Sequence, residues 1–185
     1  MQIKNVDSNA NLFDISNVYS PELVEKITTT DWVNQPWTVQ PCQESWSRRR
    51  IELTAMPWAD EWIQQTYSYW PQLSAAIKRP LRPYSPGITY FWVDLPGFTC
   101  ALHTDGTLPG AMQLAWHGSN TLSTCFYQQS DAKQIRFRNQ FVPNSGYVMI
   151  NPEGTMDTPG LWHDMPQPVP SNQFRVTSYT LIHLL

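Results

Sequence analysis

The sequence predicts a mainly β chain with helices on its N-terminal side, folded as a double-sheet jelly roll. Three observations lead there. From Ile88 onward, eight short β-rich runs alternate with turn residues, the spacing of a sandwich or barrel. Nine tryptophans and 16 prolines suit strands, corners and aromatic-lined pockets better than long regular helices. Helical signals are confined to the residues before Ile88.

The first helix is announced by Ser20-Pro21-Glu22, which supplies an N-cap, a first-turn proline and an acid at the positive helix end, and it is expected to run to about Thr30. A second is expected from about Pro57 to Tyr69, where Trp58, Trp62 and Tyr69 can share one face before Pro71 breaks or kinks it. Between them, Arg48-Arg49-Arg50 is followed by Ile51-Glu52-Leu53 and reads as a strand start with an ordinary surface role. The eight runs are Ile88 to Leu95, Phe98 to Asp105, Ala111 to Gly118, Leu122 to Gln129, Gln134 to Phe141, Gly146 to Asn151, Leu161 to Pro166 and Phe174 to Leu184. Pro96-Gly97, Pro109-Gly110, Asn144-Ser145-Gly146 and Pro159-Gly160 punctuate them, each supplying the backbone angles of a tight reversal.

At 185 residues the chain has the length of one domain, 1–185, with a helical lead over 1–87 and a jelly-roll core over 88–185. A chain of this size is expected to bury roughly 70% of its unfolded surface, so a core needs no covalent staples. Cys42, Cys100 and Cys125 are odd in number and lack C-x-x-C spacing, which argues against a disulfide framework and a thiolate zinc site. Charged residues make up 15% of the chain and its net charge is -3, so electrostatics give no support to nucleic-acid binding. Met1 to Asn11 is polar, and no apolar run approaches the roughly 18 residues that span a bilayer. No membrane association and a cytoplasmic location are the resulting expectations.

Candidate chemistry begins at "LHTDG". Residues two apart on a strand face the same way, so His103 and Asp105 project an imidazole and a carboxylate together. That pair alone is common by chance. His163 in "GLWHDMP", on the seventh expected strand, changes its meaning, because the second and seventh strands of a jelly roll can be neighbours. Two imidazoles and one carboxylate form the facial triad that leaves open positions on Fe(II) for oxygen chemistry. Arg175 and Thr177 share one face of the last strand. An arginine inside an apolar strand is costly unless paired; its simplest partner here is the distal carboxylate of a dicarboxylic co-substrate, the alternative being a salt bridge to one of the chain's own acids.

With these residues in place, the segment from about Gly87 to Leu185 resembles the iron(II) and 2-oxoglutarate-dependent dioxygenase superfamily, especially its prolyl-hydroxylase-like branch. The matching pieces are "PGFTCALHTDG", "STCFY", "SGYVMINP" and "LWHDMPQPVPSNQFRVTSY". The resemblance implies a double-stranded β-helix of cupin-like type. It implies that His103, Asp105 and His163 are the catalytic metal ligands, that Arg175 holds the 5-carboxylate of 2-oxoglutarate and that Thr177 assists. The cofactors implied are Fe(II), the co-substrate 2-oxoglutarate and O2, and the reaction is hydroxylation of an organic substrate, a small molecule or a protein side chain, with release of succinate and CO2. Cys100 and Leu122-Ser123 stand where many prolyl-hydroxylase-like members have a tyrosine and a Gly-Gly pair.

Gln113, Trp116 and His117 are further candidates for the pocket wall, with His117 at a strand end better suited to a turn or rim. Two rival readings use the same residues. A cupin-like metal enzyme would use the triad but give Arg175 no co-substrate. A non-catalytic carbohydrate-binding module would stack its tryptophans on sugar from a flat exposed patch.

Overall fold

The computed structural model of the chain describes residues 1–6, 11–38, 47–105, 109–127, 134–151 and 161–185. Cys42, the Pro159-Gly160 turn and the end of the fourth expected run, at 128 and 129, lie outside these residues.

All eight runs expected after residue 87 contain strands. They are β4 (Thr89–Asp94), β5 (Cys100–His103), β6 (Gly110–His117), β7 (Ser123–Tyr127), β8 (Ile135–Gln140), β9 (Ser145–Ile150), β10 (His163–Met165) and β11 (Arg175–Leu181). Three more precede them: β1 (Gln2–Asn5), β2 (Leu12–Ser16) and β3 (Arg48–Glu52). Every pairing between these strands is antiparallel. They form a seven-stranded sheet in the order β1-β2-β9-β6-β11-β4-β3 and a four-stranded sheet in the order β5-β10-β7-β8. From β4 to β7 and again from β8 to β11 each strand lies in the other sheet from the one before it, and β11 lies inside the larger sheet, between β4 and β6.

Side-chain alternation divides the large sheet into two working faces. Phe91, Val93, Met112, Leu114, Trp116, Val148 and Val176 point to one side, into a core shared with the helices. Trp92, Ala111, Tyr147, Met149 and Tyr179 point to the other, where they meet Phe126 and Leu161 from the small sheet's side. The space between the sheets is where the candidate ligands lie.

Helix α1 (Pro21–Thr28) starts as its sequence directs: Ser20 Oγ accepts from the Leu23 amide at 3.3 Å, Pro21 occupies the first turn, and Glu22 and Lys26 sit at the favourable ends. Helix α2 (Ala59–Ile77) runs through Pro71 and does not stop near it. Pro71 removes the hydrogen bond to the Tyr67 carbonyl, on an exposed part of the helix. Beyond it, Leu73 and Ile77 continue the buried stripe of Trp62, Thr66, Tyr69 and Trp70, and this packing holds the helix together across the break. No helix among the described residues is long and apolar enough to cross a membrane.

Two turn residues fix how the lead meets the sheets. Asn144 takes a left-handed conformation (φ 61°), and its side chain accepts from the Val18 and Tyr19 amides at 3.1 and 2.9 Å while donating to the Tyr19 carbonyl at 2.9 Å. Gly146 lies so close to β6 that a Cβ would fall 1.9 Å from the Gln113 carbonyl oxygen, so any side chain there forces β9 away from β6.

Candidate active site

The second and seventh expected strands are neighbours, as the sequence reading required. His163 on β10 pairs directly with His103 on β5, and on its other side with Phe126 on β7, whose ring stacks on it at 5.3 Å. The two imidazole centroids are 4.4 Å apart. Asp105, just past the end of β5, brings its Oδ1 to 3.4 Å from His103 Nε2 and 3.7 Å from His163 Nε2. One donor atom from each of the three residues lies within 4.8 Å of the others.

Backbone carbonyls set the tautomers. His103 Nδ1 is 2.7 Å from the Ala101 carbonyl oxygen and His163 Nδ1 is 2.8 Å from that of Leu161. With Nδ1 of each ring donating to its carbonyl, Nε2 of both rings faces Asp105, where it donates when protonated and offers a lone pair when not. The carboxylate is oriented in turn by Tyr179, whose hydroxyl donates to Asp105 Oδ2 at 2.6 Å and leaves Oδ1 to face the imidazoles. Hydrogen bonding to Asp105 and to Cys100 lifts His103 to a pKa of about 10. Burial pushes His163 down, and although burial opposes it, His103, His163 and Tyr179 hold the Asp105 carboxyl below its ordinary value. A divalent cation between the three donors competes for the same lone pairs as these protons.

The triad opens onto a cavity of about 250 Å³ whose wall includes Tyr90, Trp92, Gln113, Tyr147, Tyr179 and Arg175. Tyr90 stacks on Tyr179 at 5.3 Å and meets Trp92 edge-on at 5.1 Å, giving one side of the cavity an aromatic lining. Burial pushes the Tyr90 hydroxyl up to about 12. The Tyr147 hydroxyl donates to Gln113 Oε1 opposite.

Of the wall candidates named from sequence, Gln113 faces the cavity. Trp116 does not: it is fully buried on the helix side, with its indole N–H donating to Ser178 Oγ at 2.9 Å. His117 stacks on Phe174 at 4.3 Å at the end of its strand, away from the cavity wall. Trp32, Trp58, Trp62, Trp70, Trp92 and Trp116 are buried, whereas Trp37 is 40% exposed with the Arg49 guanidinium 4.7 Å from its ring centroid.

Arg175 lines the cavity, but it already has a partner. Its Nε and NH2 donate to Asp94 Oδ2 at 2.7 and 2.5 Å, and its NH1 lies against the Met165 thioether. Asp94 is fully buried and also accepts from Arg48 Nε at 2.5 Å and NH2 at 3.2 Å. Burial alone would raise Asp94; Arg175 and Arg48 outweigh it and hold the carboxyl below its ordinary value. The buried arginine is thus compensated by an acid of the chain itself while it also lines the cavity. Arg48 is likewise not an ordinary surface residue. Its side chain is 11% exposed and its guanidinium lies 4.2 Å from the Phe98 ring centroid.

Thr177, on the same face of β11 as Arg175 and Tyr179, is buried, and its hydroxyl has no hydrogen-bond partner among the described residues. A buried hydroxyl without a partner costs roughly 1–3 kcal/mol, which a ligand oxygen can recover. Tyr179 and Asp94 are not among the residues that the sequence reading singles out for the site, and Arg48 reads there as surface. Extending the Arg175/Thr177 alternation by two residues reaches Tyr179; the other two depend on cross-strand register.

Replacing Tyr179 with phenylalanine is expected to weaken divalent-metal affinity by roughly 10–100-fold with little change in thermal stability, the loss usual when a partner that orients a ligand is removed. Titration of Mn(II) into the two proteins by calorimetry checks this. Equal affinities would mean that Asp105 needs no help from Tyr179.

A two-sheet antiparallel β fold with two histidines and one carboxylate converging in the cavity between its sheets is thereby defined. No family model matches the chain, and no curated protein matches it in sequence. Solved structures share its fold. The chain is similar to HygX from Streptomyces hygroscopicus, solved with nickel and 2-oxoglutarate bound, at 12% identity and a TM-score of 0.60, over 94% of this chain and 84% of that one. It is also similar to the viral collagen prolyl hydroxylase vCPH from Paramecium Bursaria Chlorella virus-1, solved as a 2-oxoglutarate complex, at 9% identity and a TM-score of 0.56, over 95% and 96% of the two chains.

Proposed function

We propose that this chain is a non-haem Fe(II)- and 2-oxoglutarate-dependent dioxygenase that hydroxylates an organic substrate with release of succinate and CO2. The observation that carries the reading is the convergence of His103, Asp105 and His163 in a cavity whose wall also presents Arg175. On this reading the fold is a double-stranded β-helix, in keeping with the strand orders of the two sheets and with the structures it resembles. Two neutral nitrogens and one carboxylate oxygen suit Fe(II) and leave room for further ligands. The metal, when bound, supplies the activation of O2 coupled to oxidative decarboxylation of the co-substrate.

The chain's own residues do the rest. The Ala101 and Leu161 carbonyls and the Tyr179 hydroxyl aim the three ligands. Arg175 and Thr177 receive the distal carboxylate, with the unpartnered Thr177 hydroxyl supporting that role. Tyr90, Trp92 and Tyr179 keep water from one wall of the cavity. HygX has been solved with hygromycin B and vCPH is a collagen prolyl hydroxylase, so both small molecules and protein side chains are substrates in keeping with this site.

One observation favours a second reading. Asp94 occupies the paired Nε and NH2 donors of Arg175, as it would in a metal enzyme that has no dicarboxylic co-substrate. Anaerobic titration of the metal-free protein with Fe(II) and 2-oxoglutarate separates the two. The dioxygenase is expected to develop a visible metal-to-ligand charge-transfer absorption only when both are present. Iron binding with no response to 2-oxoglutarate would transfer the assignment to the second reading.

A further inference from the structure

We infer that Arg48, contributed by edge strand β3 of the N-terminal lead, is a specificity-determining residue that makes the cavity select a 2-oxo acid with a second, distal carboxylate. The inference rests on the dioxygenase reading and adds to it a residue outside the β-helix core.

Arg48, Asp94 and Arg175 are direct cross-strand neighbours on β3, β4 and β11. Two guanidiniums thus share one carboxylate, and the group carries one net positive charge. Its members are sealed in: the side chains of Arg48, Asp94 and Arg175 are 11%, 0% and 3% exposed. An uncompensated charge in such surroundings is costly and calls for an anion. Asp94 takes the Nε and NH2 donors of each arginine, so each keeps outer N–H groups for another acceptor. The competitor in place at Arg175 NH1 is the Met165 thioether, a weak acceptor that a carboxylate readily displaces. Both arginines line the cavity onto which the triad opens.

The other end of the cavity has a matching imbalance. A divalent cation held by one carboxylate and two neutral imidazoles retains one positive charge. Each end therefore lacks a single negative charge, and the complementary ligand is a dianion with its two carboxylates apart. If Arg175 stood alone with Asp94, the distal end would be neutral. The preference for a dicarboxylate over a monocarboxylate therefore depends on Arg48. The Trp92 and Phe98 rings, 5.0 and 4.2 Å from its Cζ, hold the guanidinium on the cavity side.

The test compares 2-oxoglutarate with 2-oxobutyrate, which has the same chelating end and no distal carboxylate, in calorimetric titrations of the Mn(II)-loaded protein. In Arg48→Met the affinity for 2-oxoglutarate is expected to fall at least about tenfold, as for loss of a charge-assisted bond, while affinities for 2-oxobutyrate and Mn(II) hold. Arg48→Lys keeps the charge and the ion pair to Asp94 and is expected to retain much of the preference; if Arg48→Met does not fold, Arg48→Gln, which can still donate to Asp94 but carries no charge, takes its place, and an unchanged preference in it overturns the assignment. A loss shared equally by both acids would reduce Arg48 to a structural role and overturn it too. If the unsubstituted protein binds Mn(II) but neither acid, the dioxygenase reading falls, and this inference with it; if it binds 2-oxoglutarate and Arg48→Met keeps the full preference, only the role of Arg48 falls.

Discussion

Replacing Asp105 with alanine is expected to abolish measurable divalent-metal binding while leaving the fold intact. Asp105 is the only charged ligand of the triad, and the two imidazoles that remain carry no formal charge to hold a cation. Loss of a partner that merely orients a ligand costs roughly 10–100-fold, so loss of the anionic ligand must cost more than about a hundredfold. The side effects are local. Tyr179 loses an acceptor, and His103, no longer held near a pKa of about 10 by the carboxylate, gives up its proton more easily. Equilibrium dialysis against Mn(II), alongside far-UV circular dichroism, measures both halves of the expectation. A variant that kept its affinity within tenfold would show that the three residues meet for another reason and would remove the basis of the proposed function.

Asp94→Ala is expected to have the largest effect on stability. A buried ion pair is a weak source of net stability while intact, but removing one partner strands the other charge at a cost of roughly 3–5 kcal/mol. Asp94 is the shared partner of two buried guanidiniums, so its removal strands both. Domains are stable by only about 5–15 kcal/mol, and for a chain of this size such a loss lowers the Tm by roughly 6–20 °C. The pH dependence follows from the same group. Its carboxyl is held below its ordinary value in the native protein, so its contribution is complete above the unfolded value of about 4 and is lost as the pH falls through the depressed native value. Urea denaturation across the acid range should therefore show a shallower decline in Asp94→Ala than in the parent. A Tm within a degree or two of the parent would mean that water, and not Asp94, solvates the two arginines.

The site was legible in sequence to the extent that it obeys short-range rules. His103 and Asp105 are two residues apart, and Arg175 and Thr177 are two apart, so strand alternation alone fixes their common faces. The approach of His163 followed from strand order, and the observed β5–β10 pair bears it out. Register across strands is not local, which is why Asp94 and Arg48 stayed hidden: nothing within ten residues of either one signals that they and Arg175 form a row. The basic run at Arg48 looked like surface because its partner lies 46 residues away. Strand β1 escaped because Gln2–Asn5 is short and mostly exposed, without a buried face to leave an alternating pattern. Helix α2 outran its forecast because the breaking effect of Pro71 is local while the packing of Leu73 and Ile77 is tertiary.

The place of β11 between β4 and β6 bears on how the protein is made. As the chain emerges during synthesis, β4 and β6 are complete long before the segment that must join them, and until then each presents a bare strand edge to the solvent. Over that interval Asp94 and Arg48 have each other, but the cationic row, the Tyr179 bond to Asp105 and the Trp116 bond to Ser178 all wait for residues 175–181. Closure of the large sheet and assembly of the pocket are therefore one late event. A nascent chain stalled before residue 175 would be open to pairing with other chains, and it would also lack a site.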